Sequence, residues 1–181
     1  MSFLPLLKGT HLSGPKTKQR VILWDIDGTL IRSRHRRAKK HAAAAETFFG
    51  QRFPDLEHNA GKTDLQIVCE LLEMQGIELC PDTLNRVLGI LDGLSILEID
   101  QNSISVVPGV TEALRIASRA GWVNGLLTGN TPVRARTKLT SAKIISHFDL
   151  DLAYFGDSTS SRFDLVGQVA SMITSDSSIE V

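Results

Sequence analysis

The sequence predicts an α/β fold, a Rossmann-like parallel sheet core with an inserted α-helical segment, here called the cap. Two observations support this. A short apolar strand near the N-terminus ends in acidic residues, and a long segment with helical spacing follows it. Helices and strands then alternate, which implies parallel pairing with right-handed crossovers. We expect a loose leader at 1–19, a core formed by 20–31 and 108–181, and the cap at 32–107.

The first half of the chain carries one strand signal and three helix signals. Arg20–Trp24 is continuously apolar after its first residue and leads into the turn-compatible residues Asp-Gly-Thr. Thr63 stands three residues before Gln66, a capping-box spacing, and Gly76 closes that helix. We expect no strand between Ile31 and about Val107, and helices at 33–49, 63–75 and 81–93.

The second half alternates between the two element types. Trp122–Leu127 is a predicted strand that ends in the tight loop Thr128–Asn130. Thr131 and Pro132 form a plausible N-cap and N1 pair for the next helix, which we expect to reach about Ile145. The remaining predicted elements are a helix from 110 to Gly121, a strand at 150–155 and a final helix at 163–173.

Polar residues follow two predicted neighbouring strands where each one ends. Asp25 and Asp27 follow the first, and Thr128–Asn130 follows the second, so both lie at the ligand-binding edge of a parallel sheet. One carboxylate there can attack phosphorus while a second acts as acid and base, and Mg²⁺ suits such a site. Taken alone, the Asp-x-Asp pattern is also compatible with solvated acids in a turn, or with the metal motif of nucleotide-sugar transferases.

Several stretches in chain order resemble one known group of proteins. "DIDGTL" and "LLTGN" resemble the first and second motifs of the haloacid dehalogenase-like (HAD) hydrolase superfamily. "VVPGVTEALRIASRAGW" resembles the turn and helix before the second motif, and "RARTKLTSAKI" resembles the helix of the third. "AGKTDLQIV" is similar to the helical cap of the phosphoglycolate-phosphatase-like and β-phosphoglucomutase-like branch. The resemblance covers about Val21 to Ala170.

The resemblance implies a role for each motif residue. Asp25 is expected to be the nucleophile and a metal ligand, with Asp27 as the acid/base whose backbone carbonyl also binds Mg²⁺. The phosphate-binding residues implied are Thr128, Gly129, Asn130 and Lys138. Dehalogenation is disfavoured, because the resembling dehalogenases lack an acid at the position of Asp27.

Two assignments have competitors in the sequence. Arg134 and Lys143 lie on the same predicted helix as Lys138 and compete for the role of the third-motif cation. In the cap, "AGKTD" either brings Lys62 or Asp64 to the substrate or forms a helix-capping turn. Both interpretations stay open at this point.

The C-terminal stretch departs from the family pattern. Phe155–Asp164 holds Asp157 and Asp164, but their seven-residue separation is too wide for the fourth motif, whose acids complete the metal site. We interpret it as an earlier stretch of the branch. The chain is then expected to be truncated before a strand that lies beside the first one, which leaves an open sheet edge.

Composition constrains the partners. The chain has 20 basic and 20 acidic residues, and the basic tract Arg32–His41 is interpreted as a solvated helix face. Nucleic acid and membrane are not expected as partners, and we expect a cytoplasmic protein.

The leading hypothesis is a Mg²⁺-dependent phosphatase of a small phosphorylated metabolite. The alternatives are a phosphomutase of the same branch and a non-catalytic remnant that binds phosphate or a partner. The sequence makes no prediction of oligomeric state.

Overall fold

The computed structural model describes residues 18–33, 38–56, 59–99, 103–175 and 179–181. It has the predicted α/β architecture, so the fold class is confirmed. The strands are β1 (Gln19–Trp24), β2 (Ile31–Ser33), β3 (Ile104–Val106), β4 (Trp122–Leu127), β5 (Ala153–Tyr154) and β6 (Ile179–Glu180). The helices are α1 (Ala38–Phe49), α2 (Asp64–Met74), α3 (Pro81–Glu98), α4 (Val110–Arg119), α5 (Pro132–Ser141) and α6 (Arg162–Ser175).

The main sheet is parallel, with the strand order β5-β4-β1-β6. β1 and β4 pair over five residues, from Arg20 opposite Trp122 to Trp24 opposite Leu126. Because the two strands run in the same direction, the residues that follow them emerge at one edge. The sheet therefore brings Asp25 and Thr128 to the same side of the molecule.

The edge of β1 that faces away from β4 differs in part from the prediction. β6 pairs there with Gln19 and Arg20, where the sequence predicted an open edge. Over Val21–Trp24, that edge has no strand partner within the described residues. The part of this edge of β1 that lacks a strand partner is thus shorter than the sequence predicted.

The prediction that no strand lies between Ile31 and Val107 is wrong. Three-residue strands β2 and β3 pair in antiparallel fashion at the two ends of the cap, and the Val107 amide donates to the Leu30 carbonyl oxygen at 3.0 Å. Strands this short carry too few residues to show an alternating pattern. Their pairing brings together the two points where the chain leaves and re-enters the core.

The described residues form two separate hydrophobic clusters. One lies around the main sheet, and the other lies between α1, α2 and α3. Their fully buried side chains include Ile26, Leu30, Ile31, Leu114, Leu126 and Leu139 in the first and Val68, Leu71, Leu72, Val87 and Leu91 in the second. Each half therefore has its own apolar interior, and polar residues occupy much of the boundary between them.

Helix ends mostly follow their sequence signals. Gln66 donates its amide to the Thr63 hydroxyl at 3.0 Å, and Gly76 adopts the left-handed conformation after α2, as predicted. α5 ends earlier than predicted because Lys143 takes that conformation, with φ of 58°, in a Schellman-type turn. No glycine marks the position, so the stop signal that usually ends a helix is missing from the sequence there.

The strand predicted at 150–155 is shorter in the structure, where it covers only Ala153–Tyr154 and follows a 3₁₀ turn at Leu150–Leu152.

The leader predicted at 1–19 lies outside the described residues except for Lys18 and Gln19, and Gln19 already belongs to β1. Part of the basic tract is likewise undescribed. In the part of the chain that is described, no helix is long and apolar enough to span a membrane.

Candidate active site

The two acids that follow β1 lie in a crevice between the core and the cap. Asp25 and Asp27 both line it, together with the cap turn Asn59–Lys62. The crevice has a volume of about 110 Å³. The side chain of Asp25 is 28% exposed, whereas that of Asp27 is 10% exposed. The two acids therefore share one site but differ in their access to water.

Asp27 is held by two polar side chains from the core. Its Oδ2 atom lies 2.7 Å from Lys138 Nζ and accepts a hydrogen bond from Asn130 Nδ2 at 2.8 Å. Lys138 also donates to Asn130 Oδ1. Burial lowers the pKa of Lys138 to about 8, against the opposing attraction of Asp27. Lys143, a rival in the sequence, lies exposed beyond the end of the helix.

The loop after β4 is folded tightly on itself. The Thr128 hydroxyl is fully buried and accepts hydrogen bonds from the Asn130 amide at 3.3 Å and from Asn130 Nδ2 at 2.7 Å. Gly129 and Asn130 line the crevice, whereas Thr128 and Lys138 are buried and are not among the described residues that line it. The structure therefore brings the four predicted phosphate-binding residues together, but only two of them border the crevice.

Gly129 is also the point at which the cap meets the core. Its carbonyl oxygen accepts a hydrogen bond from the Asp64 amide at 2.6 Å. A Cβ atom at this position would lie 2.5 Å from the Lys62 carbonyl oxygen. The glycine is therefore required by the close approach of the cap turn.

Asp64 joins the cap to the core through its side chain. It is almost completely buried and accepts hydrogen bonds from His41 Nε2 at 2.8 Å and from the Thr131 amide at 2.9 Å. Arg134 Nε lies 2.9 Å from its Oδ2 atom. Burial alone would raise the pKa of Asp64, but the Arg134 charge and the His41 hydrogen bond outweigh it, so the pKa lies well below its ordinary value.

The cap turn shows features of both interpretations that the sequence left open. Thr63 caps α2, and its hydroxyl donates to the Thr159 carbonyl oxygen at 2.8 Å. Lys62 lines the crevice and forms an ion pair with Glu70. The segment is therefore a helix-capping turn that also lies over the site.

The structure brings Arg162, His41 and Asn59 to the crevice. The sequence suggested no role for Arg162 or Asn59, and the interpretation of Arg32–His41 as a solvated helix face is wrong for His41, which is buried against Asp64. Arg162 Nη2 lies 3.3 Å from Asp25 Oδ1. Its only sequence signal was its place in the stretch Phe155–Asp164, which was considered for its acids instead. Neither Asp157 nor Asp164 is among the described residues that line the crevice.

The acidic ligands available to a metal are few. Within the described ranges, no group of three His, Cys, Asp or Glu side chains could hold a metal ion. Mg²⁺, however, often binds through one or two carboxylates and takes its other ligands from water and substrate phosphate. The carboxylate of Asp25 fits that mode of binding.

A parallel α/β core, a helical cap and an acid pair at the strand edge together define a capped Rossmann-like enzyme fold. The family model described as haloacid dehalogenase-like hydrolase matches residues 19–163. The chain belongs to the haloacid dehalogenase-like hydrolase family, and the resemblance seen in its motifs is confirmed. Comparison with curated protein sequences found no significant match.

Solved structures show the same fold. A predicted phosphatase from Clostridium acetobutylicum is 16% identical with a TM-score of 0.56, covering 87% of this chain and 71% of that one. CbbY from Rhodobacter sphaeroides in complex with phosphate is 16% identical with a TM-score of 0.54, covering 87% and 73%. A predicted phosphoglycolate phosphatase from Haemophilus somnus 129pt is 19% identical with a TM-score of 0.50, covering 86% and 73%.

Proposed function

We propose that the protein is a Mg²⁺-dependent phosphatase that hydrolyses a small phosphorylated metabolite through an aspartyl-phosphate intermediate on Asp25. The observation that carries the proposal is the unequal environment of the two acids. Asp25 is open to the crevice, whereas Asp27 is held between Lys138 and Asn130. Paired acids in different environments take different roles.

In the proposed reaction, an Asp25 oxygen bonds to phosphorus while the bond from phosphorus to the leaving oxygen breaks. Asp27, in its protonated form, gives its proton to the leaving oxygen. A water oxygen then bonds to phosphorus while the bond from phosphorus to the Asp25 oxygen breaks, which releases inorganic phosphate and returns a proton to Asp27. The positively charged Nζ atom of Lys138 lies 2.7 Å from Asp27 Oδ2 and also donates a hydrogen bond to Asn130 Oδ1 in the loop after β4. Thr128 supports that loop from behind through its buried hydroxyl.

Mg²⁺ would be held by the Asp25 carboxylate and by Asp27, the latter through its backbone carbonyl because its carboxylate already binds Lys138 and Asn130. When bound, the ion would compensate negative charge on the phosphoryl group. Lys62 is proposed to face the part of the substrate that is not transferred, since it lines the crevice from the cap side. Asp64 is proposed to position the cap.

Two solved structures of one neighbour support the substrate class. CbbY from Rhodobacter sphaeroides has been solved with phosphate, and a mutant of it has been solved with xylulose-(1,5)bisphosphate. A small phosphorylated compound is therefore the class we propose for this chain.

The test is release of inorganic phosphate from a panel of phosphorylated metabolites, with and without Mg²⁺. Wild type should release phosphate from at least one compound, and Asp25→Asn should lose about a thousandfold or more of that activity, as expected for loss of a nucleophile. Asp151→Asn, at an exposed position outside the crevice, should retain it. Activity that persists in Asp25→Asn would rule out the nucleophile.

A second candidate is a phosphate-binding protein without turnover. The lack of a three-acid cluster in the described residues favours it, since few ligands then hold the metal. It predicts a folded wild type that binds phosphate and releases none from any compound of the panel.

A further inference from the structure

A second cavity, here called the hinge cavity, lies where the cap joins the core. Its volume is about 20 Å³, which is enough for one water molecule or a particle of similar size. Ser33 and Ile104 line it from the antiparallel pair of β2 and β3, Lys40 lines it from the cap, and Lys138 lines it from the core. A ligand that binds there therefore contacts both halves of the molecule.

Three cationic side chains line the hinge cavity, and all three are largely buried. The side chains of Arg134 and Lys138 are 3% and 5% exposed, and that of Lys40 is 12% exposed. Asp64 and Asp27, which pair with Arg134 and Lys138, line the crevice instead. No carboxylate is among the described residues that line the hinge cavity, so these residues make it electropositive.

The same side chains carry N–H donors that the described residues do not fully use. The buried Nε atom of Arg134 lies near Asp64 but donates no hydrogen bond to it or to any other described residue. Lys138 has three N–H donors and two described acceptors. Lys40 pairs with Glu98, whose carboxylate is 53% exposed, so water screens that pair. Because buried donors without acceptors are costly, an acceptor in this cavity would stabilise the fold.

The pKa of Lys138 agrees with an electropositive environment. Burial is the largest cause that lowers it to about 8, Asp27 opposes the shift, and the positive charge of Arg134 adds to it. An anion near both cations would offset their mutual repulsion and favour the charged form of Lys138.

The size and charge of the hinge cavity select its ligand. A phosphate or carboxylate group has several heavy atoms and is too large for a volume of about 20 Å³, so the anion must be monoatomic. A metal cation would be repelled by the three positive side chains. Ser33 and Ser103 also line the cavity, and a hydroxyl group can donate a hydrogen bond to an anion.

We propose that the hinge cavity is a binding site for chloride, which is held by Lys40, Arg134 and Lys138. The ion joins the cap to the core, since Lys40 belongs to α1 and the other two cations belong to α5. This site goes beyond the proposed function, because it lies outside the crevice and needs neither Mg²⁺ nor turnover.

The test is thermal unfolding of the full chain in sodium chloride and in sodium gluconate at the same ionic strength and pH. Gluconate is too large for the cavity, so the melting temperature of wild type should be about 2 °C or more higher in chloride. Lys40→Gln removes one of the three cations and should lose most of that difference. Lys39→Gln, at the preceding and exposed position of α1, is the matched control and should retain it.

The difference between the two salts is measured within each protein, so a general loss of stability in Lys40→Gln does not affect the comparison. A wild type that melts at the same temperature in both salts would overturn the inference, as would a chloride effect of equal size in Lys40→Gln.

Chlorine NMR of wild type covers the case in which Lys40→Gln does not fold. Exchange of chloride with a protein site broadens the chloride signal, and excess inorganic phosphate should leave that broadening in place because phosphate does not fit the hinge cavity. Broadening that phosphate abolishes would assign the chloride to the crevice and contradict the hinge site.

The panel assay separates this inference from the proposed function. Phosphate release that depends on Asp25, in a protein without a chloride effect, would contradict the hinge site alone. A chloride effect that depends on Lys40, in a protein that releases no phosphate from any compound, would contradict the phosphatase alone.

Discussion

Arg134 Nε lies 2.9 Å from Asp64 Oδ2, and both side chains are almost completely buried between the cap and the core. Asp64 belongs to α2 of the cap and Arg134 to α5 of the core, so this ion pair crosses the boundary between the two hydrophobic clusters. His41 and the Thr131 amide occupy further positions on the same carboxylate. The cap is therefore fixed to the core by charge and hydrogen bonds.

Substitution of Asp64 should destabilise the whole chain. Asp64→Asn leaves the buried Arg134 charge without its counter-ion, and loss of one partner of a buried pair costs about 3–5 kcal/mol. The measurement is the free energy of unfolding in urea. The control is Asp82→Asn, which removes a carboxylate paired with Arg86 at an exposed position and should cost about 1 kcal/mol at most. Equal losses in the two variants would contradict the role of Asp64.

The contribution of Asp64 should depend on pH in a defined window. Its folded pKa lies below the ordinary value of 3.8, so the unfolded chain takes up the proton first as the pH falls. The stabilisation is complete above that ordinary value and is lost as the pH falls toward the lowered folded pKa. The stability difference between wild type and Asp64→Asn should therefore narrow as the pH falls below 3.8. A difference that widens in acid would contradict this.

Gly129→Ala should separate the cap turn from the core loop. The added methyl group would lie 2.5 Å from the Lys62 carbonyl oxygen, and overpacking of this kind costs about 1–3 kcal/mol. Gly89→Ala is the control, because Gly89 lies in α3 with nothing within 4 Å of its added Cβ. That variant should gain about 0.5–1 kcal/mol through helix propensity. The measurement is the free energy of unfolding of each variant in urea. If the two substitutions changed it in the same direction, the contact at Gly129 would be unimportant.

The sequence predicted the parts of the site that local order determines. Asp25, Asp27 and the loop at Thr128 follow apolar strands directly, so the parallel sheet alone brings them to one edge. The assignment of Lys138 came instead from the resemblance of its helix to that of the third motif, because spacing alone did not distinguish it from Arg134 and Lys143.

The sequence could not predict contacts made between distant segments. Asp64 meets His41 and Arg134, which stand 23 and 70 positions away, and no pattern within α2 indicates that its first residue is buried. Arg162 reaches Asp25 because it lies after β5, a strand that runs parallel to β4 and β1 in the same sheet. The contacts of Asp64 depend on how the cap docks, which is a property of the whole fold.

Lys138 should give phosphate release an alkaline limit. Burial lowers its pKa to about 8, so its ammonium loses the proton and the positive charge as the pH rises through that value. The charge helps hold the Asn130 loop and Asp27 in place, and kcat/KM should fall about tenfold for each pH unit above the midpoint. The measurement is the profile of kcat/KM between about pH 6 and 10, a range that brackets the midpoint.

Two lysine variants test whether Lys138 is the titrating group. Lys138→Arg keeps the charge throughout this range, because arginine is not deprotonated in proteins, so the alkaline limb should disappear even if the activity is reduced. Lys143→Arg makes the same exchange at an exposed position just beyond α5 and should leave the profile unchanged. If Lys138→Arg kept the wild-type midpoint, the titrating group would lie elsewhere. The pair of variants therefore distinguishes the buried ammonium from any general effect of the substitution.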